Sequence, residues 1–481
     1  VNRATVASEE KRGQAPLPRR KRGLPPFLGN LSALAVANVV GNVFAFIAVA
    51  RAADLLGPAG FGRLSFAQAF ASYFVLAGEF GLPMIAVRES ARLGAAIGGL
   101  LRAVLATRLA LAGAAFLALL AALPLVPGPP ETARLTLLFG AAVFGNALLL
   151  EWPFQGLERM GIVAAARVLR PGLYAALVIV LVRGPGDAGT VALLSLAGLG
   201  SAVLLLAFAL RHLGWDPGEP VAPRTLLRDA LPFAASALLV QLYTTMDATF
   251  LGYLKDAAAV GQYSAGSRIN GFLVGLGGLF AATLLPRLAS APDRRTADEE
   301  LGGGIAAAWT VLLPVAAGGL VTADALLDLL YGAEYAAGGG SFALLLWGVP
   351  VSAISGLLWH ALAARSGSRV PVRAVALGLL ANGVLNLALI PWLGGPGAAA
   401  ATVGAEVLTA AVILRRYRAS GGRAFVWPRG PVLVATAGMV AALAVLPSFA
   451  VVGQVALGAG LYVTILLALR ARAAARELAL K

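Results

Sequence analysis

Between residues 28 and 469 the chain runs in apolar stretches of about twenty residues, separated by short polar breaks. A helix of that length crosses the ~30 Å of bilayer hydrocarbon. The stretches are continuously apolar and lack the alternation of a barrel strand, so the pattern predicts helices whose backbones bond internally. Fourteen spans are expected: 28–50, 66–87, 104–126, 135–155, 162–182, 190–210, 231–253, 268–288, 303–323, 341–363, 371–392, 397–415, 430–447 and 450–469. The least regular are 162–182, which carries Arg167 and Arg170 near its start, and the short pair at the C-terminal end. The longest connection, 211–230, holds about twenty residues, so no extramembrane domain is expected. Residues 1–27 are polar, basic and proline-rich and are expected to be a disordered tail. The first apolar segment exceeds a signal-peptide core and is expected to stay as a helix.

Composition agrees with the pattern. Hydrophobic residues make up 59% of the 481, charged residues 13%, and mean hydropathy is +0.83. Soluble domains carry roughly 25% charged residues. There is no cysteine, which excludes disulfides, thiolate nucleophiles and cysteine metal sites, and two histidines leave little for zinc. The net charge of +15 could indicate nucleic acid or anionic lipid. Its distribution decides between them. With the N-terminal tail taken as cytoplasmic, 31 of the 38 Lys and Arg fall on cytoplasmic pieces and six on outer pieces, while Arg108 lies inside a span. Without Arg167 and Arg170 the split is still 29 to six. This is the positive-inside bias, so both termini are expected in the cytoplasm, and no nucleic-acid partner is expected. The tail run Arg19-Arg20-Lys21-Arg22 could touch anionic membrane lipid.

A sparse internal repeat appears at an offset of 199 residues. Gly62, Ser65 and Arg88 correspond to Gly261, Ser264 and Arg287. In each copy the Gly-x-x-Ser precedes an inward-running helix and the Arg ends it. Six spans separate the copies, so the halves share one orientation. That is a parallel repeat about an axis along the membrane normal, with a site expected at the interface.

Several segments resemble the polysaccharide-exporter and O-antigen flippase family, within the multidrug/oligosaccharidyl-lipid/polysaccharide exporter superfamily. They include Leu55-Leu56-Gly57-Pro58-Ala59-Gly60-Phe61-Gly62, Glu79-Phe80-Gly81-Leu82, and Phe154-Gln155-Gly156-Leu157-Glu158-Arg159. They continue with Val260-Gly261-Gln262-Tyr263-Ser264-Ala265, Tyr331-Gly332-Ala333-Glu334-Tyr335, and Asn386-Leu387-Ala388-Leu389-Ile390-Pro391 through Glu406. Their order covers about residues 30–410. The resemblance implies an all-α integral membrane fold of two six-helix bundles, at 28–210 and 231–415, around a central cavity. The linker would be 211–230, with two extra helices in 416–481. It implies alternating-access flipping of a polyprenyl-pyrophosphate-linked oligosaccharide, without catalysis or cofactor, in concert with polysaccharide-assembly proteins. Related peptidoglycan-precursor flippases carry a mid-membrane Arg-Asp pair in the first helix. Here that region reads Asn42-Val43-Phe44-Ala45-Phe46, a departure that sets the peptidoglycan precursor apart as substrate.

A charged headgroup needs a polar, cationic cavity. Arg suits phosphate through bidentate, charge-assisted bonds, and intramembrane ionisable residues are functional candidates. Arg170, about eight residues or roughly 12 Å into its span, is the first candidate, with Arg167 three residues earlier on nearly the same face. Both could instead snorkel to headgroups, as could the shallower Arg108. Asn38 and Asn42 at i, i+4 can bond sugar hydroxyls or act as glue between helices, as can Asn382 and Asn386. Asp247 and Glu79 are candidates for coupling or gating, with Arg268, and could equally form structural ion pairs. Glu151, Glu406 and His360 read as structural. Gly302-Gly303-Gly304 lacks a following Lys-Ser/Thr and is no nucleotide loop. The competing functions are a cation-coupled drug antiporter of the same superfamily, a membrane-embedded polysaccharide polymerase, and a non-transporting scaffold.

Overall fold

The computed structural model describes residues 24–366, 369–424, 427–445 and 450–479; the basic tail lies almost wholly outside the described residues. Among the described residues all regular structure is helical. In chain order the helices are α1 (Leu24–Glu79), α2 (Leu82–Leu93), α3 (Gly98–Ala122), α4 (Pro130–Gly140), α5 (Ala142–Leu148), α6 (Glu151–Gly156), α7 (Met160–Leu181) and α8 (Ala188–Arg211). They continue as α9 (Pro223–Leu254), α10 (Ala257–Ser290), α11 (Arg294–Tyr331), α12 (Gly339–Ser366), α13 (Arg369–Leu393), α14 (Gly395–Ala419), α15 (Gly430–Val445) and α16 (Val451–Ala479). Most are apolar on every face, as lipid-embedded or fully packed helices must be. Many large apolar side chains point outward, among them Leu117, Leu204 and Val384 at 67, 72 and 66% exposure, which only a hydrocarbon solvent accommodates along whole helix faces.

Among the described residues, twelve helical stretches are long and apolar enough to cross a membrane, so this is a polytopic membrane protein. The first stretch, Ala33–Leu93, has 61 residues, about 90 Å of helix, three times the hydrocarbon thickness. It is bent at Gly57, where φ is 66° and Pro58 follows, so α1 has two arms. Only glycine adopts that backbone without strain. The expected count of fourteen depends on reading those arms as separate spans and on α15 crossing with sixteen residues; twelve is what length and composition establish.

Two spans are broken rather than continuous. The second arm of α1 ends at Glu79, and Phe80 (φ 47°) and Gly81 (φ 68°) turn the chain into α2. The stretch expected as one helix over 135–155 is instead α4, α5 and α6, with Leu149 and Leu150 in non-helical conformations between the last two. A break inside hydrocarbon frees backbone carbonyls that water cannot reach. Arg108 meets them: its Nη1 donates to Leu149 O at 3.1 Å and its Nη2 to Asn146 O at 2.5 Å.

The connections at one end carry most of the basic residues; we call it the basic end and the opposite one the far end. At the basic end the link between the halves is docked, not free. Asp216 N–H donates to Ala95 O at 2.8 Å, Gly98 N–H donates to Asp216 O at 3.0 Å, and Arg102 reaches Pro217 O. Helix α9 begins at Pro223, inside the segment expected to be linker. Its Leu226 and Ala230 pack in one cluster with Leu82, Ile85, Leu100 and Trp152 of the N-terminal half. Helices α15 and α16 lie against α11, through Leu313, Met439 and Tyr462. Asp293 caps α11, its Oδ1 accepting from Thr296 N–H at 2.8 Å, and that bond holds its carboxyl below the ordinary range.

Candidate functional site

At the far end the repeated glycines meet. A methyl placed on Gly62 would lie 1.6 Å from Ala257 O, and one on Gly261 would lie 2.0 Å from Pro58 O. Pro58 and Ala257 are themselves 199 residues apart, so the contact is reciprocal about the pseudo-twofold axis. Backbone touches backbone, which any side chain would prevent. Tyr335 Oη donates to Ala53 O at 2.8 Å beside it, a further tie from one half to the other. The two halves are therefore closed against each other at the far end.

Behind that seam lies a cavity of about 370 Å³. It brings together Asn38 and Asn42 from the first arm of α1, Arg167 and Arg170 from α7, and Arg268 from α10, five of the eight candidates named from the sequence. Glu151 and Gln68 join them. Helix α7 is seated by close approach: methyls on Gly41 and Gly198 would lie 2.7 and 2.6 Å from the carbonyl oxygens of Arg167 and Arg170. Pro171 leaves the Arg167 carbonyl without its helical donor, so the bare Gly41 backbone can press against it.

The two arginines of α7 differ. Arg167 is tied down: its Nη2 and Nε donate to Glu151 Oε2 at 2.9 and 3.2 Å, and its Nη1 to Asn38 Oδ1 at 3.3 Å. Gln155 Nε2 donates to the same carboxylate oxygen. Arg170, mid-helix, is exposed to the cavity and makes no hydrogen bond or ion pair among the described residues. Arg268 crosses between halves, its Nη2 donating to Gln68 Oε1 at 2.9 Å with its guanidinium 5.4 Å over the Phe61 ring. A second cleft, of about 500 Å³, adjoins the first between α1 and α10. It shares Asn42, Ala45, Val49 and Arg268, and its other walls include Val43, Phe46, Ile269 and Phe272.

The other three candidates lie elsewhere. Arg108 is 2% exposed and is spent on the carbonyls of the broken helix, so it does not line the cavity. Glu79 sits half-buried at the α1–α2 break, with Arg108 and Arg170 as its cationic neighbours. Asp247 is enclosed within the C-terminal half: Tyr263 Oη and Thr402 Oγ1 each donate to Oδ2 at 2.5 Å, and Asn386 Nδ2 donates to Oδ1 at 2.7 Å. Asn386 also donates to Asn382 Oδ1 at 2.9 Å, so the second amide pair is part of that cluster.

Two family models match, each over more than half of the chain: "Polysaccharide biosynthesis protein" over residues 27–291, and "Lipid II flippase MurJ" over residues 191–471. The chain belongs to the polysaccharide exporter and flippase family. Among curated relatives, the chain is 26% identical over 242 residues to the "Putative O-antigen transporter" of Escherichia coli (strain K12), a match covering 49% of the chain and 58% of that relative. It is 22% identical over 253 residues to the "Probable low-salt glycan biosynthesis flippase Agl15" of Haloferax volcanii, covering 52% of the chain and 53% of that relative. The chain thus spans somewhat over half the length of the curated relatives it matches. Its fold is that of a solved "Lipid II flippase MurJ, inward closed conformation", at a TM-score of 0.69, with 13% identity and 90% of the chain and 97% of that structure covered. An inward-facing multidrug resistance MATE family transporter of the MOP superfamily follows at 0.56, with 17% identity and 82 and 98% covered. The MurJ family match begins at residue 191, past the first helix.

Two further polar residues that line the cavity, Glu151 and Gln68, are not among the candidates read from the sequence. Glu151 read as structural because it lies near a predicted span end, and Gln68 attracted no notice. The available signal for Gln68 was an amide within an apolar span, which hydrocarbon tolerates only with a partner.

Proposed function

We propose that this exporter turns a polyprenyl-pyrophosphate-linked oligosaccharide from the inner to the outer leaflet of the plasma membrane by alternating access, for cell-surface polysaccharide assembly. It does no chemistry on the substrate. The observation that carries the reading is the cavity with an unpaired Arg170 at the middle of α7, beside an apolar cleft between α1 and α10. A free guanidinium can take a phosphate bidentately. Asn38 and Asn42 offer amides to sugar hydroxyls, and the cleft lets the polyprenyl tail stay in lipid. Arg167, neutralised by Glu151, positions that wall without adding free charge. The names of the curated relatives, an O-antigen transporter and a glycan biosynthesis flippase, support the same substrate class.

In this reading the basic end faces the cytoplasm and the far end is closed. Arg268 gates: its tie to Gln68 spans the halves beside the closed seam, and a phosphate would compete for it. Glu79 stays near Arg170 as a carboxylate that can take back the guanidinium after release. Asp247 is the coupling candidate of the C-terminal half. The test is flipping of a lipid-linked oligosaccharide by purified protein in vesicles, with lipid mass spectrometry of cells lacking the protein. Accumulation of the unflipped intermediate is expected; unchanged lipid pools with lost drug efflux would favour the antiporter. For orientation, Gly186→Cys should react with an impermeant thiol reagent from outside the cell and Ala419→Cys should not. The reverse would invert the topology.

A further inference from the structure

The repeat places two equivalent surfaces at the basic end, and the chain covers only one of them. In the N-terminal half, Ile85 of α2 and Leu100, Leu101 and Val104 of α3 form a buried cluster beneath the start of α9, which supplies Leu226 and Ala230. Beside it, Arg88 Nη2 donates to Asp229 Oδ2 of α9 at 3.2 Å. What fills this surface is therefore an apolar plug with an anion at its edge.

At the repeat offset, the same positions in the C-terminal half are Leu284 and Arg287 of α10 with Glu299, Glu300 and Gly303 of α11. They line an open cavity of about 500 Å³. Every lining residue comes from α10 or α11, so no third element among the described residues covers it. Carboxylates stand where the first half has Leu100 and Leu101, and a methyl on Gly303 would meet nothing within 4 Å. Arg287 Nη1 lies 3.5 Å from Glu300 Oε2 and the arginine is 70% exposed, a loose pair that contributes little by itself. Glu299 is held by Arg295 at 2.9 Å, so these four charges cancel. Away from the basic end, Phe280 and Ala307 continue the wall as apolar surface.

We infer that this cavity binds an aminophospholipid from the leaflet at the basic end, with the phosphate on Arg287, the ammonium on Glu300 and the start of an acyl chain along Phe280, Gly303 and Ala307. The covered copy shows that the surface takes an anion and an apolar plug. The added carboxylates call for a cation as well. A zwitterion supplies both: it exchanges one loose ion pair for two charge-assisted contacts and leaves the cavity neutral. An anionic lipid would bring no cation for Glu300, and a choline headgroup carries the charge without an N–H to donate. The volume is that of an ordinary ligand pocket. The cavity shares no lining residue with the central one, so this lipid is a resident of the fold and separate from the cargo.

The test is native mass spectrometry of the purified full chain in detergent, titrated with phosphatidylethanolamine, phosphatidylcholine or phosphatidylglycerol of identical acyl chains. No lipid-linked sugar is present, so the outcome is independent of the transport reading. Wild type should retain one phosphatidylethanolamine per chain, about tenfold more tightly than either of the others. Glu300→Gln removes the ammonium partner and keeps Arg287, and should erase the preference over phosphatidylglycerol. Gly303→Leu fills the cavity without touching a charge and should weaken phosphatidylethanolamine binding about tenfold; it carries the test if Glu300→Gln does not fold. Equal retention of the three lipids by wild type would reduce the site to general lipid contact and overturn it. Tighter retention of phosphatidylglycerol would do the same, by making this end an ordinary basic surface. An unchanged preference in Glu300→Gln, or wild-type binding in Gly303→Leu, would place the lipid elsewhere and also sink the assignment.

Discussion

In the N-terminal half, Arg170 projects from mid-helix into open space, and Arg167 beside it is held by a single carboxylate from a helix break. In the C-terminal half, Asp247 is 7% exposed and is enclosed by a tyrosine, a threonine and an asparagine drawn from three helices. The halves repeat one plan, with matching glycines at their junction, yet one leaves a guanidinium unpaired at a cavity and the other satisfies its carboxylate internally. A charge left unpaired within a membrane is expensive and is kept where it meets a ligand. A polar group fully bonded inside a bundle fixes the packing of the helices that supply its partners. In the proposed function, headgroup handling falls to the first half and rigidity of the bundle to the second.

The junction is where that contrast can be broken most severely. Gly62→Val and Gly261→Val should each reduce transport to background, because the far-end seam cannot close over a side chain. By the pseudo-symmetry of the contact the two variants should be equivalent. A transport assay showing one tolerated and the other dead would mean that the halves do not share the seam evenly.

Next in size is Arg170→Ala, expected to weaken substrate binding ten- to a hundredfold or so, from the ~1.5–3 kcal/mol of a charged hydrogen bond. Thermal stability should hardly change, since Arg170 has no partner to lose. Arg170→Lys should recover part of the activity by keeping charge without the fork. Normal transport in Arg170→Ala would sink the cavity assignment.

The mirror-image variant is Asp247→Ala. It strands three donors, and at ~1–3 kcal/mol for each unsatisfied group it should cost stability on the order of 3 kcal/mol, read as a clear fall in Tm in detergent. An Asp247→Ala protein with wild-type Tm would show that the cluster is not structural. Smallest is Glu151→Gln, which frees Arg167 without removing it. Severalfold altered transport with normal expression is expected, as the second guanidinium becomes available; a collapse as deep as that of Arg170→Ala would give the two α7 arginines equal rank.

Much of the candidate site is legible in the sequence. Arg170 stood out because nothing about a lipid-embedded helix favours a guanidinium eight residues from its end, and Asn38 and Asn42 because their spacing puts them on one helix face. Arg108, the shallower candidate for the same role, neither lines the cavity nor reaches headgroups but bonds the carbonyls of Asn146 and Leu149. Its use depends on a break at Leu149 and Leu150, and nothing in that apolar run announces it. The pairing of Glu151 with Arg167, 16 residues away across a helix turn, was equally hidden.

Sequence alone determined that the chain is a bundle of membrane-crossing helices, because hydrophobic length and charge sidedness are properties of each segment and need no neighbour. It also determined the repeat, since the glycines stand in register at one offset. Only the tertiary structure decided which charges are free. Arg108, Arg167 and Arg170 are chemically identical, and their roles follow from the distance to a carbonyl or carboxylate supplied by another segment. Asp247 and Thr402 are 155 residues apart and share a bond of 2.5 Å. A local pattern can say that a polar group is buried in lipid; it cannot say which distant group satisfies it, because that partner is chosen by the packing of whole helices.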